Sequence, residues 1–216
     1  MIKIKNLSKK YNEHIIFEDA SITINSGDFI AIKGESGSGK TTLLNIIGLL
    51  EQADEIDYRF DDALLPNQKS VLESIRRKSF SYVFQDACLI SYLNCYDNIV
   101  MPLKNLKMQI SKDKVEEIAR QLNIENILYK NVTKLSGGEK TRVAIARAIL
   151  TGNPYVLADE PTGNLDPKTS LEVMEIFKTL NKDLHFTIIM VTHTETLDSF
   201  FNRILYIAGG KIDEAS

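Results

Sequence analysis

A glycine-rich loop between a predicted strand and a predicted helix constrains this chain more than any other stretch. The segment DFIAIKGESGSGKTT, residues 28–42, passes from the apolar run Phe29–Ile32 into the loop, and apolar residues at helical spacing follow. Residues 34–41 fit the pattern of Gly, any four residues, Gly, Lys and Ser or Thr. Strand, loop and helix in this order are the context that the pattern requires. The loop therefore predicts a site for the phosphates of a nucleoside triphosphate.

The residue types in the loop suit the chemistry of a polyphosphate. Glycines let backbone N–H groups face phosphate oxygens without a Cβ in the way, and the following helix directs its positive end to the same place. Lys40 adds a mobile positive charge, and the Thr41 hydroxyl can bind Mg²⁺. The loop alone leaves kinase, switch GTPase, nucleic-acid motor and transport motor open. Its predicted nucleotide-binding residues are Gly34, Ser36, Gly37, Ser38, Gly39, Lys40, Thr41 and Thr42.

Composition and charge narrow these alternatives. The chain has 216 residues, 44% hydrophobic and 25% charged, which predicts a globular protein with one large domain or a domain and a subdomain. Its net charge of −3 gives no sign of a nucleic-acid partner. Cys88 and Cys95 match no zinc or redox spacing, so two free thiols in a reducing cytosol are expected. Residues 1–5 alternate like a strand rather than a signal peptide, and the apolar runs are too short to span a bilayer. We expect a soluble chain.

Strand and helix patterns alternate, which predicts an α/β fold with a mostly parallel sheet. The first half predicts strands at 2–7 and 14–25, a helix from Lys40 to near Leu50, an edge strand at 56–60, a helix at 67–77, a strand at 80–84 and helices within 86–134. The second half predicts a helix to Leu150, a strand at 155–158, a helix starting at Asp166-Pro167, a buried strand at 186–191 and final edge strands at 204–207 and 211–213.

Two acids follow the short apolar strand at 155–158. Neighbouring side chains of a strand point to opposite faces, so Asp159 and Glu160 can do two different jobs. One carboxylate can hold Mg²⁺, and the other can reach the water that attacks the γ-phosphate. A solvated acidic strand end is the alternative, and the phosphate loop in the same chain disfavours it.

A second glycine-containing helix start lies at residues 135–139, LSGGE. Ser136 and Glu139 have the spacing of a capping box for the helix that runs to Leu150. Two glycines in a first turn are costly for a helix, and they are explained if another group must approach that helix end closely. The segment predicts a second anion site at a helix N-terminus.

The segment LSGGEKTRVAIARA, residues 135–148, resembles the signature of the ATP-binding cassette (ABC) ATPases. The resemblance covers nearly the whole chain, because the motifs follow in the family's order: Tyr11, the loop 34–41, Gln85, the signature 135–139, the strand 155–160, the segment PTGNLD at 161–166, and His193. It implies a single ABC ATPase domain over 1–216. Its parts would be a P-loop NTPase core (1–85 and 151–216), a small antiparallel β subdomain and a helical signature subdomain at about 86–150.

The family's roles carry over to the matching residues. The resemblance implies that Tyr11 stacks on adenine and that Gln85 joins Thr41 and Asp159 around Mg²⁺ and senses the γ-phosphate. It also implies that Glu160 is the catalytic base, or polarises the attacking water, and that His193 contacts the γ-phosphate. The implied catalytic set is thus Glu160, His193 and Gln85. Asp166 is expected at a dimer seam and as a helix N-cap.

The resemblance further implies a site shared between two copies. The signature residues are expected to complete the nucleotide site of a second chain, so that two chains lie head to tail and enclose two ATP molecules with Mg²⁺. ATP binding would then drive closure, and hydrolysis would release it. The residues concerned are Ser136, Gly137, Gly138 and Glu139.

Residues 79–103 and the segment YVLADEPTGNLD resemble the compact ATPases of one branch of the family. The branch includes lipoprotein-release, macrolide-export, antimicrobial-peptide and bacteriocin-export systems and the cell-division cassette. We expect an ATPase subunit that powers a separate membrane permease from the cytoplasmic face of the plasma membrane. A regulatory cassette that signals without transport is the second hypothesis. A stand-alone P-loop kinase is the third, and it leaves the 135–139 segment unexplained.

The contact with the permease is expected just after Gln85. Exposed apolar side chains there would form the groove for a permease helix, with ordinary core of the helical subdomain as the alternative; they are Leu89, Tyr92, Leu93 and Tyr96. Two departures from the family pattern lie outside the hydrolytic set. Residues 51–65 lack a glycine-containing strand turn, so the β subdomain is expected to differ there, and Thr194 follows His193 where many relatives carry an acid.

Overall fold

The computed structural model describes residues 1–106 and 108–214, which form two sheets and six α-helices within that part of the chain. Three short 3₁₀ helices lie at Glu125–Ile127, Val132–Lys134 and Glu195–Phe200. In chain order the other elements are β1 (Ile2–Tyr11), β2 (His14–Ile24), β3 (Phe29–Gly34), α1 (Lys40–Ile47), β4 (Glu55–Phe60), β5 (Ala63–Leu64), α2 (Lys69–Ser79), β6 (Phe80–Val83), α3 (Cys95–Asn105), α4 (Lys112–Gln121), α5 (Gly137–Leu150), β7 (Tyr155–Asp159), α6 (Pro167–Lys182), β8 (Thr187–Val191), β9 (Arg203–Ala208) and β10 (Lys211–Glu214).

The larger sheet has the strand order β10-β9-β3-β8-β7-β6. Every pair from β9 to β6 is parallel, and only β10 runs antiparallel to its neighbour. This confirms the mostly parallel α/β fold, and the near-continuous apolar runs of β3, β7 and β8 follow from burial on both faces. The prediction that β9 is an edge strand was wrong, because β9 pairs with β3 on one side and β10 on the other.

The smaller sheet is antiparallel with the order β2-β1-β4-β5. The prediction of an edge strand at 56–60 was wrong, because the two-residue strand β5 pairs with the outer side of β4. Their hairpin turn is Asp61-Asp62, with φ of 49° and 64°. Positive φ at both central residues suits the right-handed twist of a hairpin and normally calls for Asn or Gly. The N-terminal ammonium of Met1 and the ammonium of Lys3 each pair with one of the two carboxylates.

Helices cover both faces of the larger sheet. One core joins α3, α4, α5 and α6 to one face, and the other lies between α1, the smaller sheet and the opposite face. In α4, Val115, Ile118 and Ala119 are buried, at the i, i+3 and i+4 spacing of an amphipathic helix. The helix that follows the phosphate loop ends at Ile47, short of the predicted Leu50. Within the described residues, no helix is long and apolar enough to span a membrane.

Candidate functional site

The glycine-rich loop connects the carboxyl end of β3 to α1. Gly39 is the N-cap residue of α1, with a φ of 101° in the left-handed region that favours glycine. A Cβ at this position would also overlap Cγ2 of Ile16, so the smaller sheet lies directly against the loop. The remaining predicted loop residues surround this point: Ser36, Gly37 and Thr41 are exposed, while Gly34, Ser38, Lys40 and Thr42 are half-buried.

Lys40 directs its ammonium back into the loop. Its Nζ donates to the carbonyl oxygens of Gly34 and Glu35 at 3.0 and 2.8 Å. The Ser38 hydroxyl, in contrast, is buried without a hydrogen-bond partner, and it lies 2.7 Å from the position that a Cβ on Gly34 would occupy. Within the described residues, the loop thus combines a charged side chain, a buried hydroxyl without a partner and three glycines, a set that suits an anion with many oxygens.

A hydroxyl and a carboxylate meet at the carboxyl ends of β3 and β7. Thr41 Oγ1 donates to Asp159 at 3.1 Å. Burial raises the pKa of the Asp159 carboxyl, an effect that the hydrogen bond from Thr41 opposes. Among the described residues, no group of three His, Cys, Asp or Glu side chains could hold a metal by itself. Two hard oxygen ligands still fit Mg²⁺, which commonly takes its other ligands from phosphates and water.

Glu160 follows β7 and turns toward β8. Its N–H donates to the carbonyl of Val191 at 3.0 Å, and its φ of 44° lies in the left-handed region. Its Oε2 lies 3.4 Å from Nδ1 of His193, which follows β8. The structure therefore brings Glu160 and His193, two of the three predicted catalytic residues, together at the end of the sheet.

Gln85 lies at the same end of the sheet, beside Gly163, for which no role was predicted. A Cβ on Gly163 would lie 3.3 Å from both Gln85 Nε2 and Glu160 Oε2. Both side chains therefore flank one bare backbone position, and any residue larger than glycine there would crowd them. The signal in the sequence was the glycine inside PTGNLD, next to the acids of the strand end.

The signature segment starts α5 with the predicted capping box. Ser136 Oγ accepts from the Glu139 N–H at 3.3 Å, and Glu139 Oε2 accepts from the Ser136 N–H at 2.8 Å. Ser136 and Gly137 are exposed, whereas Gly138 is buried. A Cβ on Gly138 would overlap Cγ2 of Thr169 in α6. Packing within this chain therefore requires glycine at this position.

Asp166 caps α6, as its place before a proline predicts. Its carboxylate accepts from the N–H and the hydroxyl of Thr169 at 3.1 and 2.5 Å, and these bonds lower its pKa. At the other end of the site, Tyr11 Oη bonds to the carboxylate of Glu51 and lies 3.5 Å from Thr42 Oγ1. Tyr11 is therefore tied to the segment around α1, close to the phosphate loop.

Arg147 of α5 holds the segment after Gln85, and sequence reasoning did not detect it. Its guanidinium donates to the carbonyls of Ala87 and Cys88, both at 2.7 Å. These two residues have φ of 57° and 44°, an arrangement that is uncommon without glycine. Burial lowers the pKa of Arg147, which nevertheless stays charged. A single side chain thus fixes an unusual turn that begins two residues after Gln85.

The four residues predicted to form a permease groove do not form one exposed surface. Leu89 and Tyr96 pack against the core of the helical part, and only Tyr92 is largely exposed, at 80%. One of several cavities, of about 440 Å³, lies instead between α2, β6, α3 and α5. Apolar side chains and three arginines line it, including Leu50, Arg76, Arg77, Tyr82, Pro102, Leu106 and Arg147.

Comparisons with known proteins agree with this geometry. A family model described as "ABC transporter" matches residues 17–163. The chain is 39% identical to the ABC transporter ATP-binding protein YxdL of Bacillus subtilis, over 98% of this chain and 85% of that protein. It is 36% identical to the macrolide export ATP-binding/permease protein MacB of Pasteurella multocida, over 98% of this chain but 34% of that protein. The chain thus spans about a third of the MacB relatives.

Solved structures give the same result. The dimeric structure of a post-hydrolysis state of the ATP-binding cassette MJ0796, bound to ADP and Pi, is 35% identical with a TM-score of 0.87, over 100% of this chain and 98% of that one. The structure of cbiO1 from Clostridium perfringens, part of the ABC transporter complex cbiONQ, is 25% identical with a TM-score of 0.88, over 98% and 86%.

Proposed function

Because the chain belongs to the ABC transporter family of ATP-binding proteins, we propose that it is the ATP-hydrolysing subunit of an exporter and acts with a membrane permease on a separate chain. The observation that carries this proposal is the meeting of Gln85, Glu160 and His193 beside the Thr41–Asp159 pair. These side chains stand at the carboxyl edge of the parallel sheet, where α/β proteins bind their ligands.

The residues divide the work of ATP hydrolysis among them. The loop N–H groups and Lys40 hold the phosphates, and Lys40 exchanges its bonds to Gly34 and Glu35 for phosphate oxygens. Thr41 and Asp159, with Gln85, would hold Mg²⁺, which neutralises charge on the phosphates. Glu160 accepts a hydrogen bond from the attacking water and orients it in line with the γ-phosphate. His193 keeps that carboxylate in place and, in this proposal, contacts the γ-phosphate.

A second copy of the chain completes the site in this proposal. Ser136 and Gly137 are exposed at the N-terminus of α5, where backbone N–H groups and the helix dipole favour an anion. With Gly138 and Glu139 they would bind the nucleotide held by the partner's loop. The relative MJ0796, described as dimeric and bound to ADP and Pi, supports a dimer. The head-to-tail arrangement around ATP is what the family resemblance implies. Asp166, exposed at the start of α6, would lie at the seam.

The permease side of the proposal rests on relatives and on one cavity. The cavity lined by Leu50, Tyr82 and Leu106 is the proposed seat of a permease helix at the cytoplasmic face of the membrane. MacB is named an ATP-binding/permease protein for macrolide export, and YxdL an ABC transporter ATP-binding protein. We expect a peptide, lipoprotein or drug as cargo. The relatives named here are transporters, which favours transport over the regulatory, cell-division-type alternative.

The substitution Glu160→Gln tests the hydrolytic assignment. The variant should bind ATP with unchanged affinity, lose turnover by at least about 100-fold and form a dimer with ATP that gel filtration detects. Glu175→Gln, on the exposed side of α6, is the matched control and should keep wild-type activity. Wild-type turnover by Glu160→Gln would falsify the role of Glu160, and a variant that stays monomeric with ATP would contradict the shared site.

A further inference from the structure

The hydroxyl and the ring of Tyr11 are both held by neighbouring charged side chains. The hydroxyl bonds to Glu51, just beyond α1, and lies 3.5 Å from Oγ1 of Thr42. Nζ of Lys9 lies over the ring, 5.0 Å from its centroid. Tyr11 as a whole remains 45% exposed. A tyrosine that merely occupied a hairpin end would not need restraint at both its edge and its face.

Lys9 and Glu51 also bind each other. Their charged groups are 3.3 Å apart, and their side chains are only 12% and 24% exposed. Lys9 donates in addition to the carbonyl of Gln52 at 2.8 Å. An ion pair shielded from water in this way is stronger than one on an open surface, and it holds both side chains in one arrangement. The Tyr11 ring is thus part of a closed set of contacts with Lys9 and Glu51.

We propose that Lys9 and Glu51 are positioning residues that fix Tyr11 as a one-sided platform for the purine of the bound nucleotide. The inference rests on the proposed function, in which Tyr11 stacks on adenine. Glu51 fixes the rotation of the ring by accepting a hydrogen bond from its hydroxyl, and Lys9 covers one face, so the base stacks on the other. Because the ring is already ordered, base binding loses less conformational entropy.

A purely structural role makes a different prediction. If the Lys9–Glu51 pair only fastened β1 to the segment after α1, removing it would lower stability and disturb the phosphate loop, whatever ligand is bound. If the pair acts through Tyr11, its removal weakens only ligands that carry a base. ATP and inorganic tripolyphosphate share the phosphate chain and differ in the nucleoside, so together they separate the two roles.

The experiment measures dissociation constants of the full chain for ATP and for tripolyphosphate by calorimetry in EDTA, which prevents hydrolysis. Glu51→Ala should weaken ATP about two- to tenfold and leave tripolyphosphate unchanged. Tyr11→Phe keeps the ring and removes the hydroxyl, so it should reproduce that loss, and Glu51→Ala should add nothing to it. Lys9→Met, which keeps most of the stem, should weaken ATP in the same selective way. The matched control is Lys3→Met. Lys3 lies on β1, as Lys9 does, and its replacement breaks the ion pair with Asp62 but should change neither constant.

Four results would overturn the inference. Equal weakening of ATP and tripolyphosphate by Glu51→Ala assigns the pair to the loop, and an unchanged ATP constant in Glu51→Ala and Tyr11→Phe removes the positioning role. A Tyr11→Ala variant that binds ATP as the wild type does shows that no base platform exists there, although hydrolysis through Glu160 would still stand. Failure of the wild type to bind either ligand would instead reject the proposed function, and this inference with it.

Discussion

His193 Nδ1 lies 3.4 Å from Glu160 Oε2, and the two residues follow adjacent parallel strands. The Glu160 N–H is bonded to the carbonyl of Val191, two residues before His193. The separation of the two side chains is therefore set largely by the backbone. His193 is therefore placed to hold the carboxylate that we propose to orient the attacking water.

Replacing His193 tests this contact. His193→Ala should lower kcat for ATP hydrolysis about 100-fold and raise the dissociation constant for ATP only slightly, because in the proposal the loop and Lys40 hold most of the triphosphate, whereas the attacking water is oriented through Glu160. His193→Gln can still donate to Glu160 and should keep more activity than the alanine variant. Steady-state kinetics and nucleotide titration measure both quantities. A His193→Ala enzyme with the wild-type kcat contradicts the assignment.

The contact between Gly138 and Thr169 predicts a stability defect with a specific rescue. Gly138→Ala places a methyl group on Thr169 Cγ2 and should lower the free energy of unfolding by about 1–3 kcal/mol. Thr169→Ser removes that methyl and keeps the hydroxyl that bonds to Asp166, so the double variant should regain most of the stability. Urea unfolding measures each value.

Arg147 should affect both stability and the action of Gln85. Arg147→Met leaves the carbonyls of Ala87 and Cys88 without their donor and should cost about 2 kcal/mol. It should also lower kcat, and this loss should largely disappear in a Gln85→Ala background if Arg147 acts by positioning that residue. Lys104→Met breaks an exposed ion pair and is the control, with an expected cost of about 0.5 kcal/mol. Additive losses in the double variant would argue against positioning.

The raised pKa of Asp159 predicts how stability depends on pH. Burial is its main cause, so the folded protein binds this proton more tightly than the unfolded chain does. The contribution of Asp159 is fully present below the ordinary pKa of an aspartate and is lost as the pH rises through the raised value. Asp159→Asn should remove this decline and be at least as stable as the wild type at about pH 7, yet lose Mg²⁺-dependent ATPase activity. Unfolding curves across this range test it, and parallel pH profiles would contradict it.

Contiguous motifs were readable from the sequence, and contacts across the fold were not. The loop 34–41, the Asp159-Glu160 pair and the Ser136–Glu139 capping box lie at the expected element ends because neighbours in sequence carry the whole pattern. Arg147 escaped because its partners are backbone carbonyls 59 and 60 residues away, which leave no side-chain signal.

Strand order was equally hidden from the sequence. The internal position of β9 depends on pairing with β3, which lies far away along the chain. Residues 51–65 contain no glycine, and the structure explains how a strand turn forms there without one. Asp61 and Asp62 adopt the positive φ themselves, beside the ammonium groups of Met1 and Lys3. The roles proposed for individual site residues, including the partner-facing signature, remain predictions for the experiments above.

The three neighbouring, hydrogen-bonded strands β3, β8 and β7 affect how such a chain can evolve. Gly34, His193 and Asp159 stand at or just beyond the ends of these three neighbouring strands, whose spacing is fixed by backbone hydrogen bonds at about 4.8 Å. Substitutions on the outer helices leave that spacing intact. Surfaces that meet other proteins are therefore free to diverge while the groups proposed to bind phosphate and to orient water keep their distances, so the proposed choice of cargo and consumption of ATP can evolve independently.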